Sequence, residues 1–279
     1  MSQRTRPLRR AVVVRTERVA PEMVRLTLHS DQMRGHELPF CDHYVKFLFP
    51  PAGAPYDRPF DPETVRDQFA PEHWPVTRTY TIRSADPATG EFVVDVVLHG
   101  DAGLAGPWAA QAQPGDEIGF HGPGGAWAPS DHAHYVFAGD EAAAPAICRG
   151  VELLPAGATA TVYLEIADER GRFPVPQREG VTVRWVLRDG AAYGQALASV
   201  VRAGGAPDGA GWFVHGVAEM VKDVRHFLFV EQGVPRSDVS ISGYWRTGMT
   251  EDGWRQTKRD FVAEMETAES ADLATAARH

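Results

Sequence analysis

Residues 78–83 have the sequence Arg-Thr-Tyr-Thr-Ile-Arg, a run of β-branched and aromatic side chains between two arginines. Such a run predicts a β-strand. Because side chains alternate along a strand, Arg78 and Tyr80 share one face. Thr81 and Arg83 share the other. Taken alone, the run is typical of any strand with charged ends, and its meaning depends on the elements around it.

The residues before about position 127 contain further short runs of the same kind, separated by Gly, Pro and Asp turns. The predicted strands cover residues 12–14, 24–28, 44–49, 78–83 and 92–98. One brief helix is predicted near Trp108, and the proline-rich residues 50–75 are predicted to form a surface loop. Several short strands with one helix predict a small closed antiparallel β-barrel.

Beyond Pro129 the pattern changes to alternating strands and helices. Strands are predicted at residues 135–138, 161–166, 181–187, 212–214 and 239–242, and helices at residues 141–154, 193–202, 217–232 and 251–266. This alternation predicts a parallel sheet with helices on its faces. The chain is therefore predicted to have a barrel domain over 8–127 and an α/β domain over 132–266. An Ala-rich frayed helix or tail is predicted over 267–279.

Composition excludes several classes of function. The 279 residues include 28 basic and 37 acidic side chains, a net charge of −9, which argues against a general nucleic-acid or anionic-membrane binder. The two cysteines, Cys41 and Cys148, are too few for a disulfide scaffold, a Cys₄ zinc site or a Cys-ligated iron–sulfur cluster. No stretch approaches the ~20 apolar residues of a membrane span. We expect a soluble cytoplasmic protein, and any redox centre in it is an organic cofactor.

Glycine-rich motifs follow the strand at residues 78–83. His99-Gly100-Asp101 precedes Gly103-Leu104-Ala105-Gly106-Pro107-Trp108, then come Pro114-Gly115-Asp116 and a Gly-Pro-Gly-Gly run at 122–125. Small residues let the backbone approach a ligand, and a helix that begins near Gly106 directs free amides at an anion. Taken by itself, such a glycine-rich stretch is more commonly a simple turn.

The order of these motifs resembles that of the ferredoxin-reductase-like flavoproteins, and more narrowly that of the siderophore-interacting proteins, the bacterial ferric-siderophore reductases. The resemblance covers roughly residues 8 to 265. Its most specific parts are Gly139-Asp140-Glu141-Ala142-x-x-Pro145-Ala146-Ile147 and Gly243-Tyr244-Trp245-Arg246-x-Gly248.

The resemblance implies an FAD site in the barrel. Tyr80 would stack on the flavin ring and Thr81 would hydrogen-bond near flavin N5, which gives these two residues the catalytic roles. The cofactor-binding residues that it implies are Arg78, Tyr80, Thr81, Arg83, His99, Gly100, Gly103, Ala105, Gly106, Trp108, Asp140 and Glu141. Relatives usually show Gly-Pro-Ala-Ser before the tryptophan, so a serine hydroxyl is missing at Gly106.

The α/β domain would present NADH or NADPH as the electron donor. It lacks the Gly-x-Gly-x-x-Gly fingerprint, which is unsurprising where the barrel holds the flavin. Glu165, Asp168 and Glu169 follow the second strand of this domain, where acidic groups accept from a ribose hydroxyl and repel a 2′-phosphate. They slightly favour NADH, although a solvated charge run is the alternative. Relatives often carry a glutamate where this chain has Val217.

Three cations are candidates for binding an anionic, oxygen-rich substrate. The resemblance implies that Lys46, Arg246 and Lys258 form a basic triad over the flavin, with Tyr244 and Trp245 closing the same pocket. Exposed surface charges and buried core aromatics are the alternatives for these residues.

The predicted reaction is hydride transfer from NAD(P)H to FAD, followed by delivery of single electrons to an Fe(III)–siderophore. Iron arrives inside its chelator, so no protein metal ligands are required, and Fe(II) is released in the cytoplasm. One alternative is a general NAD(P)H-dependent or ferredoxin-linked flavin reductase, with ferredoxin as a possible partner. Another is a non-catalytic siderophore-binding protein. No nucleic-acid or membrane partner is predicted.

Overall fold

Six antiparallel strands close into a barrel in the N-terminal part of the chain. The computed structural model describes residues 7–98 and 103–276. The chain forms two compact units, Met1–Ala128 and Pro129–His279. The barrel strands are β1 (Arg9–Ala20), β2 (Met23–His29), β3 (Tyr44–Phe49), β4 (Val76–Asp86), β5 (Glu91–Val97) and β6 (Glu117–Gly124). Their order around the barrel is β1-β2-β5-β4-β3-β6, which confirms the predicted closed barrel.

Alternate side chains of the strands fill the barrel. On β3, Val45, Phe47 and Phe49 are buried and point into the core, as the period of two requires. Helix α2 (Ala105–Gln111) packs Trp108 edge-on against Phe47 and Phe49, with ring centroids 6.0 and 5.7 Å apart. These core contacts hold β3 in place, and β3 pairs with the strand that contains residues 78–83.

The segment between β3 and β4 is more ordered than the sequence predicts. Within it lies helix α1 (Pro62–Gln68), where a plain surface loop was predicted. Asp61 is its N-cap and accepts a hydrogen bond from the backbone N–H of Glu63, and Pro62 occupies the first turn. The Asp-Pro pair was therefore a helix-start signal inside a proline-rich run.

The second unit is a five-stranded parallel sheet with the order β11-β10-β7-β8-β9. Its strands are β7 (His134–Gly139), β8 (Thr159–Ile166), β9 (Val181–Leu187), β10 (Gly211–Val217) and β11 (Val239–Trp245), and its helices are α3 (Ala144–Glu152), α4 (Gln195–Gly204), α5 (Ala218–His226) and α6 (Glu251–Ala276). All seven residues of β10 are buried, as expected for a strand covered on both faces. The strand order reverses between β7 and β10, the point at which open α/β sheets bind ligands.

Helix α6 continues to Ala276, through the residues predicted as a frayed helix or tail. Ion pairs hold this extension in place, since Glu269 is buried and binds both Arg225 of α5 and Arg236. The sequence did not predict it because the attachment is ionic and leaves no apolar stripe. Neither α6 nor any other helix in the described part of the chain is long and apolar enough to cross a bilayer.

Candidate functional site

Strands β4 and β5 diverge at the predicted flavin site. Within the described residues, their pairing runs from Asp86 opposite Glu91 to Ile82 opposite Val94 and goes no further. Before Ile82, β4 is paired with β3, and beyond Val94, β5 is paired with β2. The segment that contains Tyr80 therefore lies beside a break in the β4–β5 ladder, where β4 is not paired with β5.

The predicted aromatic residues of this site lie on one contact path. The half-buried Tyr80 ring packs on Phe47, with centroids 5.8 Å apart, and Phe47 in turn contacts Trp108. Thr81 is buried on the other face of β4, and its pairing partner on β3 is Tyr44. Tyr80 and Trp108 therefore both contact the same core ring, that of Phe47.

The two predicted arginines of β4 differ in their surroundings. Arg78 is half-buried, and its Nη1 donates a hydrogen bond to the backbone carbonyl of Thr77 at 2.8 Å. Arg83 is also half-buried and lies at a register irregularity between Ile82 and Ser84. Because a bulge changes the direction of a side chain, simple alternation does not determine where Arg83 points.

The glycine-rich stretch is only partly described. His99 and Gly100 lie outside the described residues. Gly103 has a φ of +88°, which favours glycine, and Ala105 is buried at the start of α2. A Cβ at Gly106 would lie 4.0 Å from the Val97 carbonyl, an ordinary contact, so packing in this region does not by itself require glycine at 106.

Asp140 connects the ends of three strands in the second unit. Its Oδ1 accepts from the backbone N–H of Ala142 at 3.0 Å and its Oδ2 accepts from the N–H of Val217 and the indole Nε1–H of Trp245, both at 2.8 Å. Burial first, and the charge of Glu141 second, raise the pKa of Asp140 to about 7 despite these donors. The carboxyl group therefore ties the end of β7 to β10 and β11 at the point where the strand order reverses.

Gly216 is required by this arrangement. Its φ is +137°, and a Cβ there would lie 2.7 Å from Asp140 Oδ2. Only glycine allows the backbone near the end of β10 to approach the carboxyl group so closely.

Glu141 and Glu165 share a buried guanidinium. Arg188 binds Glu141 in a bidentate manner at 2.7 and 2.9 Å and approaches Glu165 at 3.3 Å. Glu165 also accepts from the backbone N–H groups of Gly194 and Leu197. Burial alone lowers the pKa of Arg188, but the hydrogen bond and charge of Glu141 and the charge of Glu165 raise it above its usual value.

The prediction that Glu165 accepts from a ribose is wrong. Its side chain has an exposure of 0%, and its oxygens are bonded within the protein. Asp168 and Glu169 remain on the surface, where they pair with Arg170 and Arg172. The sequence pattern could not distinguish these cases because all three residues follow the same strand.

Tyr244 and Trp245 contact different parts of the sheet. The Tyr244 ring lies 4.9 Å from His215, whereas the Trp245 ring packs at 4.8 Å on Tyr193 and its indole N–H binds Asp140. The sequence analysis predicted that the two rings close the same pocket, but in the structure they pack on different residues. The pairing of β11 with β10 passes over Tyr244, from Gly243 to Trp245, so the two rings lie at a register irregularity of the strand.

Arg246 and Lys258 are both anchored near one face of α6. Lys258 Nζ donates to the hydroxyl of Ser242 on β11 at 2.8 Å, and burial lowers the pKa of this lysine. Arg246 pairs with Glu219 at 3.3 Å and stacks at 4.7 Å over Phe261, three residues after Lys258. In the first unit, the half-buried Lys46 lies on β3 with its ammonium 5.9 Å from the Tyr44 ring.

His215 and Ser242 were not predicted from the sequence. His215 is buried on β10 and hydrogen-bonds Ser240 of β11 through Nε2 at 3.0 Å. Burial first, and the nearby Lys258 second, lower the pKa of His215 to about 3, so the ring is neutral at neutral pH. A signal was available in the alternate serines of β11, because polar side chains at every second position mark one face of a strand.

Comparison with known proteins identifies both units. Residues 12–127 match the siderophore-interacting FAD-binding domain, and residues 132–248 match the siderophore-interacting protein domain. An uncharacterized protein of Mycobacterium tuberculosis is 37% identical over 274 residues, which cover 92% of this chain and 96% of that protein. Ferric vibriobactin reductase ViuB of Vibrio cholerae is 30% identical over 250 residues, which cover 88% and 92%.

Solved structures show the same architecture. The siderophore-interacting protein SipS of Aeromonas hydrophila superposes with a TM-score of 0.77 at 25% identity, covering 92% of this chain and 99% of SipS. Ferredoxin–NADP⁺ reductase of Plasmodium falciparum, at 12% identity and a TM-score of 0.62 over 85% of this chain and 96% of that one, shares the fold alone.

Proposed function

Because this chain belongs to the siderophore-interacting protein family of FAD-binding proteins, we propose that it is a ferric-siderophore reductase. In this proposal NAD(P)H is the electron donor, an Fe(III)–siderophore is the substrate, and Fe(II) is released in the cytoplasm. FAD, when bound, accepts a hydride from a nicotinamide and delivers electrons singly to Fe(III). The observation that carries the proposal is the half-buried Tyr80 beside the break in the β4–β5 ladder.

The residues of the barrel fit an FAD. Tyr80 offers an aromatic face to a flat ring, and the likeness to the family is what assigns the hydroxyl of the next residue, Thr81, to the region of flavin N5. Arg78 and Arg83 supply guanidinium groups suited to phosphate or ribityl oxygens. Gly103, with its positive φ, allows the chain to turn closely around a ligand.

In the second unit, we assign Asp140 and Glu141 the role of holding the strand ends that receive the nicotinamide. Both carboxyl groups are bonded to protein donors, and they lie where the strand order reverses between β7 and β10. NADH remains the favoured donor in this proposal because Asp168 and Glu169 place carboxylates after β8, where they can accept from a ribose hydroxyl, although each is paired with an arginine.

Lys46, Arg246 and Lys258 are the proposed substrate-binding cations, to which the family's substrates offer anionic oxygens. Ser242 would hold the Lys258 ammonium in place through its 2.8 Å hydrogen bond. Hard oxygen donors hold Fe(III) better than Fe(II), so reduction loosens the chelate and frees the iron without protein ligands to the metal.

The visible spectrum of the purified protein tests this function. We expect flavin bands that bleach anaerobically with NADH, and that recover when a ferric chelate is added together with a ferrous trap, whose coloured complex then forms. A colourless protein that cannot be reconstituted with FAD would refute the proposal in favour of siderophore binding without catalysis. Bleaching by reduced ferredoxin alone would identify a ferredoxin-linked enzyme, and bleaching without Fe(II) formation a general flavin reductase.

The three lysines of the chain allow a matched test of substrate binding. The double variant Lys46→Ala/Lys258→Ala should raise KM for ferric siderophores and leave the FAD content unchanged. Lys222→Ala, which removes the exposed lysine of α5, is the control and should leave KM unchanged. An unaltered KM in the double variant for every chelate tested would exclude these lysines from the substrate site.

A further inference from the structure

Arg58 carries a half-buried guanidinium that the predicted flavin site does not use. It lies on the segment between β3 and α1, and its Cζ is 5.1 Å from the centroid of the Trp108 ring and 5.5 Å from that of Phe49. The guanidinium therefore lies over two aromatic rings, which accept no conventional hydrogen bond from it. Its N–H donors, which lie in the plane of the group, remain directed at its edges.

This guanidinium has no acceptor among the described residues 7–98 and 103–276. No hydrogen bond or ion pair involves it, and its Nη1 is buried without a partner. Burial lowers the pKa of Arg58, and the charges of Asp116 and Asp57 oppose that shift only from a distance. A partly desolvated cation with unsatisfied donors is costly unless an acceptor completes it.

Aromatic contacts connect Arg58 to the proposed flavin site. Arg58 lies over the Trp108 ring, whose centroid is 6.0 Å from that of Phe47. The Phe47 centroid is in turn 5.8 Å from that of Tyr80. Two rings, Trp108 and Phe47, therefore link the cation to the aromatic residue proposed to stack on the flavin.

We propose that Arg58 donates hydrogen bonds to the pyrophosphate of FAD and thereby makes the protein select FAD over uncharged riboflavin. The inference rests on the flavin site of the proposed function. Of the parts of FAD, only the pyrophosphate is anionic, and the fork of a guanidinium matches its paired oxygens. Residues 103–106, Gly-Leu-Ala-Gly, offer no side-chain donor for this anion, so Arg58 would add a side-chain donor to those of Arg78 and Arg83.

Flavin titration of the full-length protein, stripped of bound flavin, tests the proposal by fluorescence quenching. Arg58→Met keeps apolar contact with Trp108 and Phe49 but removes the charge. We expect it to weaken FAD binding about 10- to 100-fold, the effect of losing a charge-assisted hydrogen bond, and to leave riboflavin binding unchanged. Arg58→Lys, which keeps the charge and loses the fork, should have an intermediate affinity for FAD.

Arg66→Met is the matched control, because Arg66 lies on α1 with its guanidinium 5.9 Å from the Trp74 ring. It should leave both affinities unchanged. Unaltered FAD binding by Arg58→Met would overturn the proposal. An equal loss of FAD and riboflavin affinity would also overturn it, since it would mean that Arg58 only supports Trp108. Binding of no flavin by the wild-type protein would instead refute the proposed function, and with it this inference.

Discussion

Arg188→Met removes the cation that Glu141 and Glu165 share inside the second unit. The exposed fractions of the side chains are 7% for Arg188, 13% for Glu141 and 0% for Glu165, so little water can replace the guanidinium. Removing one partner of a buried ion pair costs about 3–5 kcal/mol. Since Glu165 keeps the backbone donors of Gly194 and Leu197, we expect the lower end, about 3 kcal/mol.

Thermal unfolding measures this effect. For a unit of this size each kcal/mol shifts Tm by roughly 2–4 °C, so the Tm of Arg188→Met should fall by about 6–12 °C. The control is Arg170→Met, because Arg170 is 83% exposed and pairs with Asp168 at the surface. Its Tm should change by less than about 2 °C, as expected for a surface ion pair. If Arg188→Met unfolds within about 2 °C of the wild type, the ion-pair argument is refuted.

Three further outcomes are expected. Asp140→Asn should remove a pH dependence of stability. The pKa of Asp140 is about 7 in the folded protein and ordinarily 3.8, so between these pH values the native state holds a proton that the unfolded chain has lost. The stability of the wild type therefore falls in this range as pH rises. From pH 5 to pH 7 the Tm of the wild type should therefore fall relative to that of the variant. Parallel plots of Tm against pH for the two proteins would contradict this. Burial lowers the pKa of Lys258. Acylation of Lys258, measured by peptide mass spectrometry, should therefore reach half its maximum at a lower pH than acylation of a short lysine peptide. An equal midpoint would count against the lowered pKa. Tyr80→Ala should weaken FAD binding about tenfold while Tyr80→Phe keeps it, as measured by FAD per chain after dialysis, and equal retention in both variants would argue against stacking.

The architecture follows from local sequence patterns. Short runs of β-branched and aromatic residues between turns, such as residues 44–49, predicted the barrel strands, and the change to alternating strands and helices after Pro129 predicted the parallel sheet. The order of the motifs from Arg78 to Arg246 indicated the family. These patterns are informative because the period of a strand or helix is a property of the local backbone, which every tertiary context must respect.

The roles of the charged residues were decided by the tertiary structure. Glu165, Asp168 and Glu169 look alike in sequence, yet only Glu165 is enclosed, because its acceptors meet donors at Arg188, Gly194 and Leu197. The cost of burying a charge depends on which groups surround it, and those groups come from distant parts of the chain.

Arg58 illustrates the same limit at the proposed flavin site. In the sequence it is an arginine in a proline-rich segment, with no periodic pattern to distinguish it. Only the folded chain places it against Phe49 and Trp108 and leaves its donors without acceptors. The sequence by itself therefore determined the two-domain fold and the family. Tertiary contacts determined which charges are satisfied internally and which remain for a ligand, because hydrogen-bond satisfaction is a property of residues that meet in space.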